Sequence, residues 1–440
     1  MSRLAIAFFV VCASAPALAQ PTPTTVPNDV DAQSSASPVA SEEELVALAG
    51  DPDEPLDEET LKIYGFSDFT FRKYFFPAES SFGLVAQEES TFLVGSFNLY
   101  LRANLAERWT SLSEVRYTFL PNGAQHFDQG PDQDAVNTEF RDPIDQADII
   151  RVGGIVIERV WLEYEWNAKL RVRMGRWFTP YGLWNIDHGS PTLLGATKPM
   201  IIGYNLMPSA QTGVLIQGEV RSLDFRVAYF ASLANGKGAT DEYRDVDNNK
   251  GIGAGFKLKS PWLDEATLGG AIYYGKHTSS REEGGLGGPN MDTFTLTTII
   301  DEQSFELSLS ADLKIRARNF VFMAEFVSEQ TAYTEQGRPE HFAEPGRLQA
   351  DTVDYGAYGT LGYELPWHNA IVWGSYEFSR ADSFGVTVHK TVGGLVLRPV
   401  ARITVKAAFT SLGFAKLPGR TSRVAYGTMY GSELQIAWVF

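Results

Sequence analysis

The sequence predicts an all-β transmembrane antiparallel barrel of about sixteen strands. Three observations predict it: period-two alternation of apolar and polar residues from Ile63 onward, regular alternation of short and long links between those segments, and an alternating last segment that ends on Phe440.

The chain begins with Met1-Ser2-Arg3, an apolar run over residues 4–13, and Ala17-Leu18-Ala19. A short positive region, a short apolar core and an A-x-A site define a cleaved export signal over residues 1–19. The run is too short for a membrane helix, which needs roughly 20 residues. Cys12 is the only cysteine and lies inside that signal. The mature chain is therefore expected to carry no disulfide, no thiolate metal site and no cysteine nucleophile.

Residues 20–60 form a separate acidic leader. The stretch 21–60 has eleven acidic residues and no basic one, and its first half is rich in Pro, Ser and Thr. Such a composition buries too little apolar surface to fold alone. Ser41 and Glu44 could cap one short helix before Gly50 and Pro52 end it. The formal net charge of the whole chain, -17, argues against a nucleic-acid partner.

The barrel is expected over residues 61–440. Its clearest strand places Phe305, Leu307, Leu309, Ala311, Leu313 and Ile315 on one face and Glu306, Ser308, Ser310, Asp312, Lys314 and Arg316 on the other. A helix would scatter those charges around its circumference. Sixteen such segments are read at 63–75, 91–105, 109–120, 155–166, 169–177, 211–220, 224–233, 250–259, 266–277, 304–317, 319–330, 352–365, 369–380, 387–398, 401–412 and 431–440. Tight links such as 106–108, 167–168 and 399–400 alternate with longer ones such as 121–154, 178–210 and 278–303. One rim thus carries turns and the other loops, as in outer-membrane barrels, with both termini on the turn side. The final strand presents Leu434, Ile436, Trp438 and Phe440 on one face. Trp438 and Phe440 are the expected insertion signal for the barrel-assembly machinery, and the outward face is expected to meet outer-membrane lipid.

The third long link, 178–210, is unlike the others. It sets Leu193, Leu194, Met200, Ile201 and Ile202 among glycines and prolines. So apolar a loop should not hang in water and is expected to fold into the lumen. Alternation then points Arg159, Glu163, Arg171 and Arg173 inward, with Glu114 and Arg116 from the neighbouring strand and Asp187, His188 and Lys198 from the loop. Arg116, Arg159, Glu163, Arg171, Arg173, Asp187, His188 and Lys198 are the candidate pore-lining set, because facing rows of opposite charge filter solutes. Asp187-His188-Gly189-Ser190 makes no hydrolase, since a triad is defined by geometry and not by adjacency. Asp245-x-Asp247-x-Asn249 lacks the glycine and glutamate of a calcium loop at their required places. No catalytic, metal or cofactor motif is expected.

Residues 155–199 carry strand, tight turn, strand, then Gly175-Arg176, Thr179-Pro180-Tyr181-Gly182 and His188-Gly189-Ser190-Pro191. With IYGFSDFTF at 63–71, SLSEVRYTFLPNG at 111–123 and the terminal Phe440, this pattern resembles a porin-like family related to the phosphate-selective porins O and P. The resemblance implies a sixteen-stranded, trimeric barrel conducting small hydrophilic solutes. This chain departs from the phosphate-selective members in being net acidic and lacking a lysine run, so phosphate selectivity does not follow. Two other classes remain open: a structural or adhesive surface protein, and a barrel enzyme.

Overall fold

The computed structural model describes residues 61–440 except 85–89, 121–150, 186–188, 204, 223–224, 238–239, 242–243, 246–248, 261–262, 288–292, 342–343, 345, 367–368 and 419–425. The expected signal (1–19) and leader (20–60) lie outside the described residues.

Sixteen antiparallel strands close into one barrel. They are β1 (Leu61–Phe75), β2 (Ser90–Ala106), β3 (Trp109–Leu120), β4 (Arg151–Asn167), β5 (Leu170–Phe178), β6 (Ala210–Ser222), β7 (Phe225–Ala234), β10 (Gly251–Ser260), β11 (Glu265–Gly287), β12 (Thr293–Ala317), β13 (Phe320–Tyr333), β14 (Thr352–Leu365), β15 (Ala370–Ala381), β16 (Val386–Val400), β17 (Ile403–Lys416) and β18 (Gly427–Val439). A two-stranded ribbon, β8 (Thr240–Asp241) and β9 (Arg244–Asp245), sits apart within one long link. Each strand pairs with its sequence neighbours, and β1 closes the ring on β18 with Phe66 opposite Val439.

Alternation decides which face each residue takes. On β12, Ser308 is fully buried while Leu309 is 47% exposed. The exposed positions form the apolar outer surface: Phe305 and Leu307 on β12, Leu434, Ile436 and Trp438 on β18, and Val214 and Ile216 on β6. Buried positions on the same strands are polar, among them Glu306 and Asp312 on β12 and Glu433 and Gln435 on β18. An apolar outside around a polar inside is the inverse of a soluble barrel and suits a wall set in lipid. Outward aromatics pair near both rims. Trp109–Tyr164 and Phe320–Tyr363 lie toward the short-link rim, and Tyr274–Phe305 and Phe409–Tyr430 toward the long-link rim.

All sixteen expected strands are present; several run a few residues further into the long links, β4, β13, β17 and β18 among them, and one difference is large. Residues 278–303, expected as a loop, instead continue the ladder between β11 and β12 as far as Gly287 opposite Thr293. Arg281-Glu282-Glu283 and the glycines Gly284, Gly285 and Gly287 give no apolar stripe on the β11 side, and a ladder outside lipid needs none; on the β12 side Phe294 and Leu296 alternate with threonines. At 25 residues β12 spans about 80 Å, well beyond a hydrocarbon core of about 30 Å.

β-Bulges interrupt the ladder between β3 and β4 at Glu114/Val115 and Thr118/Phe119. A bulge re-aims the side chains beside it. The extra residue here, Glu158, becomes a partner for Arg116 at 2.7 Å.

Candidate functional site: the segment held inside the ring

The link between β5 and β6 is clamped where it begins and ends. The Thr179 amide donates to the Ser209 carbonyl (3.0 Å), and its hydroxyl donates to Pro208 O (2.5 Å). Asn185, buried, donates to both Thr179 O (2.7 Å) and Ser209 O (2.8 Å). The chain between these clamps touches inward-facing side chains around much of the wall.

Gly182 comes first. Its φ of +67° favours glycine, and a Cβ there would stand 1.8 Å from Glu325 Oε1 on β13. This close approach lets the Leu183 amide donate to Glu325 Oε2 (3.1 Å), which also accepts from the Tyr358 hydroxyl on β14 (3.0 Å). Lys257 on β10 donates to Gly182 O (2.8 Å) while paired with Asp312 on β12 (2.7 Å). Ser190 donates to Asp68 on β1 (2.6 Å). Lys406 on β17 donates to Ser190 O and to Gly195 O (3.1 Å), and Arg398 on β16 to Pro191 O (3.0 Å). The Met200 amide donates to Glu377 on β15 (2.7 Å), and Glu377 is paired with Lys390 on β16 (2.9 Å). Ser308 on β12 donates to Leu206 O (2.6 Å).

The pattern is chemically consistent. Non-helical backbone away from water must find partners, and here wall carboxylates accept its N–H groups while wall ammonium groups donate to its carbonyls. Apolar residues of the segment are covered as well. Leu194 packs with Ile371, Trp373, Val392 and Val396, and Ile201 and Leu206 pack with Val327 and Tyr358. Tyr181 sits among Trp177, Leu215, Phe230 and Tyr273, and burial pushes its phenol up to about 12, so it stays neutral.

The ring order places β4 opposite β14, so the β3–β5 wall faces the strands that hold the segment. That wall carries the arginines expected from sequence. Arg159 and Glu114 are both buried and paired at 2.6 Å, with Asn98 donating to the same carboxylate (2.6 Å). Arg173 is paired with Glu163 (2.8 Å) and stacks on Trp161, its guanidinium carbon 3.9 Å from the ring centroid. Glu163 also accepts from Gln217 (2.7 Å). Arg171 is the most loosely held of this group. Its contact to Glu163 is 3.9 Å long and its side chain is 36% exposed. The expected row of solvated charges is thus mostly a set of compensated pairs, with Arg171 and Arg116 the more accessible cations.

Lys198 contributes its carbonyl, which accepts from Lys390 (3.2 Å), while its side chain is exposed. Asp187 and His188 lie outside the described residues. Trp438 and Phe440 both face outward. Phe440 exchanges two 3.0 Å backbone hydrogen bonds with Gly65 and stacks on Phe97, so the chain's last residue locks the ring closure. Sequence reasoning missed Asp68, Lys257, Glu325, Glu377 and Lys390 as holders of the segment. Each is an isolated charge on the inward face of an alternating strand, and that is the signal that could have found them.

Among solved structures, the chain is similar to an outer-membrane protein of Vibrio cholerae, OmpT, at 9% identity over 88% of this chain and 99% of that one, with a TM-score of 0.53. It is also similar to the anion-selective porin from Comamonas acidovorans, at 12% identity over 87% and 100% of the two chains, with a TM-score of 0.52. No family model and no curated protein matches the sequence. The likeness establishes the fold, a closed outer-membrane-type β-barrel.

Proposed function

We propose that this chain is an outer-membrane channel through which small hydrophilic solutes or ions diffuse passively, with residues 178–210 forming its constriction. The observation that carries this reading is the segment held across a polar interior by wall charges on β1, β10, β13, β15, β16 and β17 and by the Ser308 hydroxyl on β12. A barrel needed only as an anchor has no use for so many buried polar groups, whereas a pore requires a defined narrow zone. Passage then runs between this segment and the β3–β5 wall, where the more accessible Arg116 and Arg171 bias the water column toward anions. The Comamonas acidovorans porin of similar fold is anion-selective, in keeping with that bias.

The same reading carries the remaining expectations. Residues 1–19 direct export and are removed, 20–60 extend on the periplasmic side with the turns, and Trp438 and Phe440 are read by the barrel-assembly machinery. The barrel assembles as a trimer in outer-membrane lipid, and its lineage lies with the phosphate-selective porins O and P without their selectivity. It is a conduit and not an enzyme. Reconstitution of the purified protein in planar bilayers tests the proposal: discrete ohmic current steps support it, and a folded barrel that never conducts refutes it.

A further inference from the structure

Several stretches of the inner wall are apolar rather than polar, and one of them borders the held segment. On β15 and β16, Ile371, Trp373, Val392 and Val396 all face inward and are buried. Leu194 covers part of this patch, which accounts for it as an anchor of the segment. It does not account for the rest. Between Leu183, Trp184 and residues 192–199 on one side and the wall from β12 to β16 on the other remains an open cleft of about 90 Å³, lined by Leu193, Leu194, Met323, Trp373 and Val392. An anchor alone would close on its patch, because unfilled apolar surface forgoes about 25 cal/mol per Å² of burial.

Two lysines border the cleft, Lys390 on β16 and Lys314 four strands away on β12. Lys390 lines it, but Glu377 cancels that charge and both are buried. Lys314 lines it too, and its partner Glu265, 3.0 Å away, is 37% exposed. Lys314 is itself only 12% exposed, so Glu265 is the solvated half of the pair and the half that an incoming carboxylate can replace. Lys314 lies three residues from the end of β12 and Met323 three residues from the start of β13, so this side of the cleft lies toward the short links.

We infer that this cleft is a binding site for a small monoanionic amphiphile, its apolar body against Trp373 and Leu193 and its carboxylate on Lys314. One exchangeable ammonium suits a single carboxylate. A phosphate or sulfate, which needs several converging donors, finds an apolar wall instead. The inference rests on the channel reading for its physiological sense, since it places a solute site beside the constriction, but binding itself is independent of conduction.

The test uses the full-length protein in detergent, with 4-phenylbutyrate, its amide and acetate as probes, read by tryptophan emission and calorimetry. The acid should bind about fivefold or more tighter than the amide, and acetate should not bind measurably. K314Q should bring the acid to the level of the amide and leave the amide unchanged, whereas L193S, a loop change that spares the wall, should weaken acid and amide alike. Equal binding of acid and amide to the unaltered protein, or a gap between them that survives K314Q, overturns the inference. In bilayers 4-phenylbutyrate should interrupt the current. If the barrel binds the acid as described but never conducts, the channel reading fails and the site stands.

Discussion

Replacing Arg171 by Gln isolates the most loosely paired of the arginines expected along the β3–β5 wall. Its guanidinium is 3.9 Å from Glu163, whose carboxylate is already engaged by Arg173 and Gln217. Removing it therefore strands no buried acid. An ion passing at about 8 Å in water feels about 332/(80 × 8), or roughly 0.5 kcal/mol, from a unit charge. The effect has opposite sign for anions and cations, so the relative preference changes by about 1 kcal/mol, roughly fivefold. Screening over about 10 Å at 0.1 M salt reduces that to about twofold. R171Q should accordingly move the cation-to-anion permeability ratio upward by between about two- and fivefold. The assay is the reversal potential across a bilayer under a tenfold KCl gradient. Arg347, two-thirds exposed and paired with Glu344, lies in an outer link, and R347Q should leave the potential unchanged. An unchanged potential in R171Q, or an equal shift in R347Q, refutes the assignment of the ion path to this wall.

Three further outcomes follow from individual contacts. R159Q leaves Glu114 fully buried without its 2.6 Å partner, so it should destabilise the barrel by about 3–5 kcal/mol, and E114Q should partly restore it; the temperature at which the folded band is lost on a gel measures both. G182A adds a Cβ 1.8 Å from Glu325 at a φ of +67°, costing about 1 kcal/mol in backbone and a further ~2 kcal/mol in displaced hydrogen bonds, and should loosen the segment and raise current noise while the wall stays folded. Deleting Phe440 removes two hydrogen bonds to Gly65 and the stack on Phe97, so the yield of folded, heat-modifiable protein should fall severalfold in outer-membrane fractions.

The wall was legible because lipid outside and polar groups inside impose a period of two on every strand. Leu307, Leu309, Glu306 and Ser308 declare their faces from sequence alone. The ladder over 278–303 was not, because the charges and glycines of 281–288 look like loop and mask the alternation of Phe294 and Leu296 with threonines beyond them. The oddity of the 178–210 link was visible in its composition, but its holders were not. Which wall charge meets which carbonyl depends on how the ring closes, and Lys406 and Asp68 become neighbours of Ser190 only once β1 pairs with β18. The bulges at Glu114/Val115 and Thr118/Phe119 likewise defeated simple parity, turning Glu158 into the partner of Arg116.

Single-channel conductance of the unaltered barrel beside one lacking residues 191–203 tests the constriction most directly. That deletion removes the stretch bound by Lys406, Arg398 and Glu377 while keeping the Thr179–Ser209 clamp and every wall strand. The account predicts ohmic steps from the unaltered protein and larger steps, at least about doubled, from the shortened one, as expected when a pore's narrowest zone is widened. Equal steps from two folded barrels would contradict it, and the segment would then be no constriction.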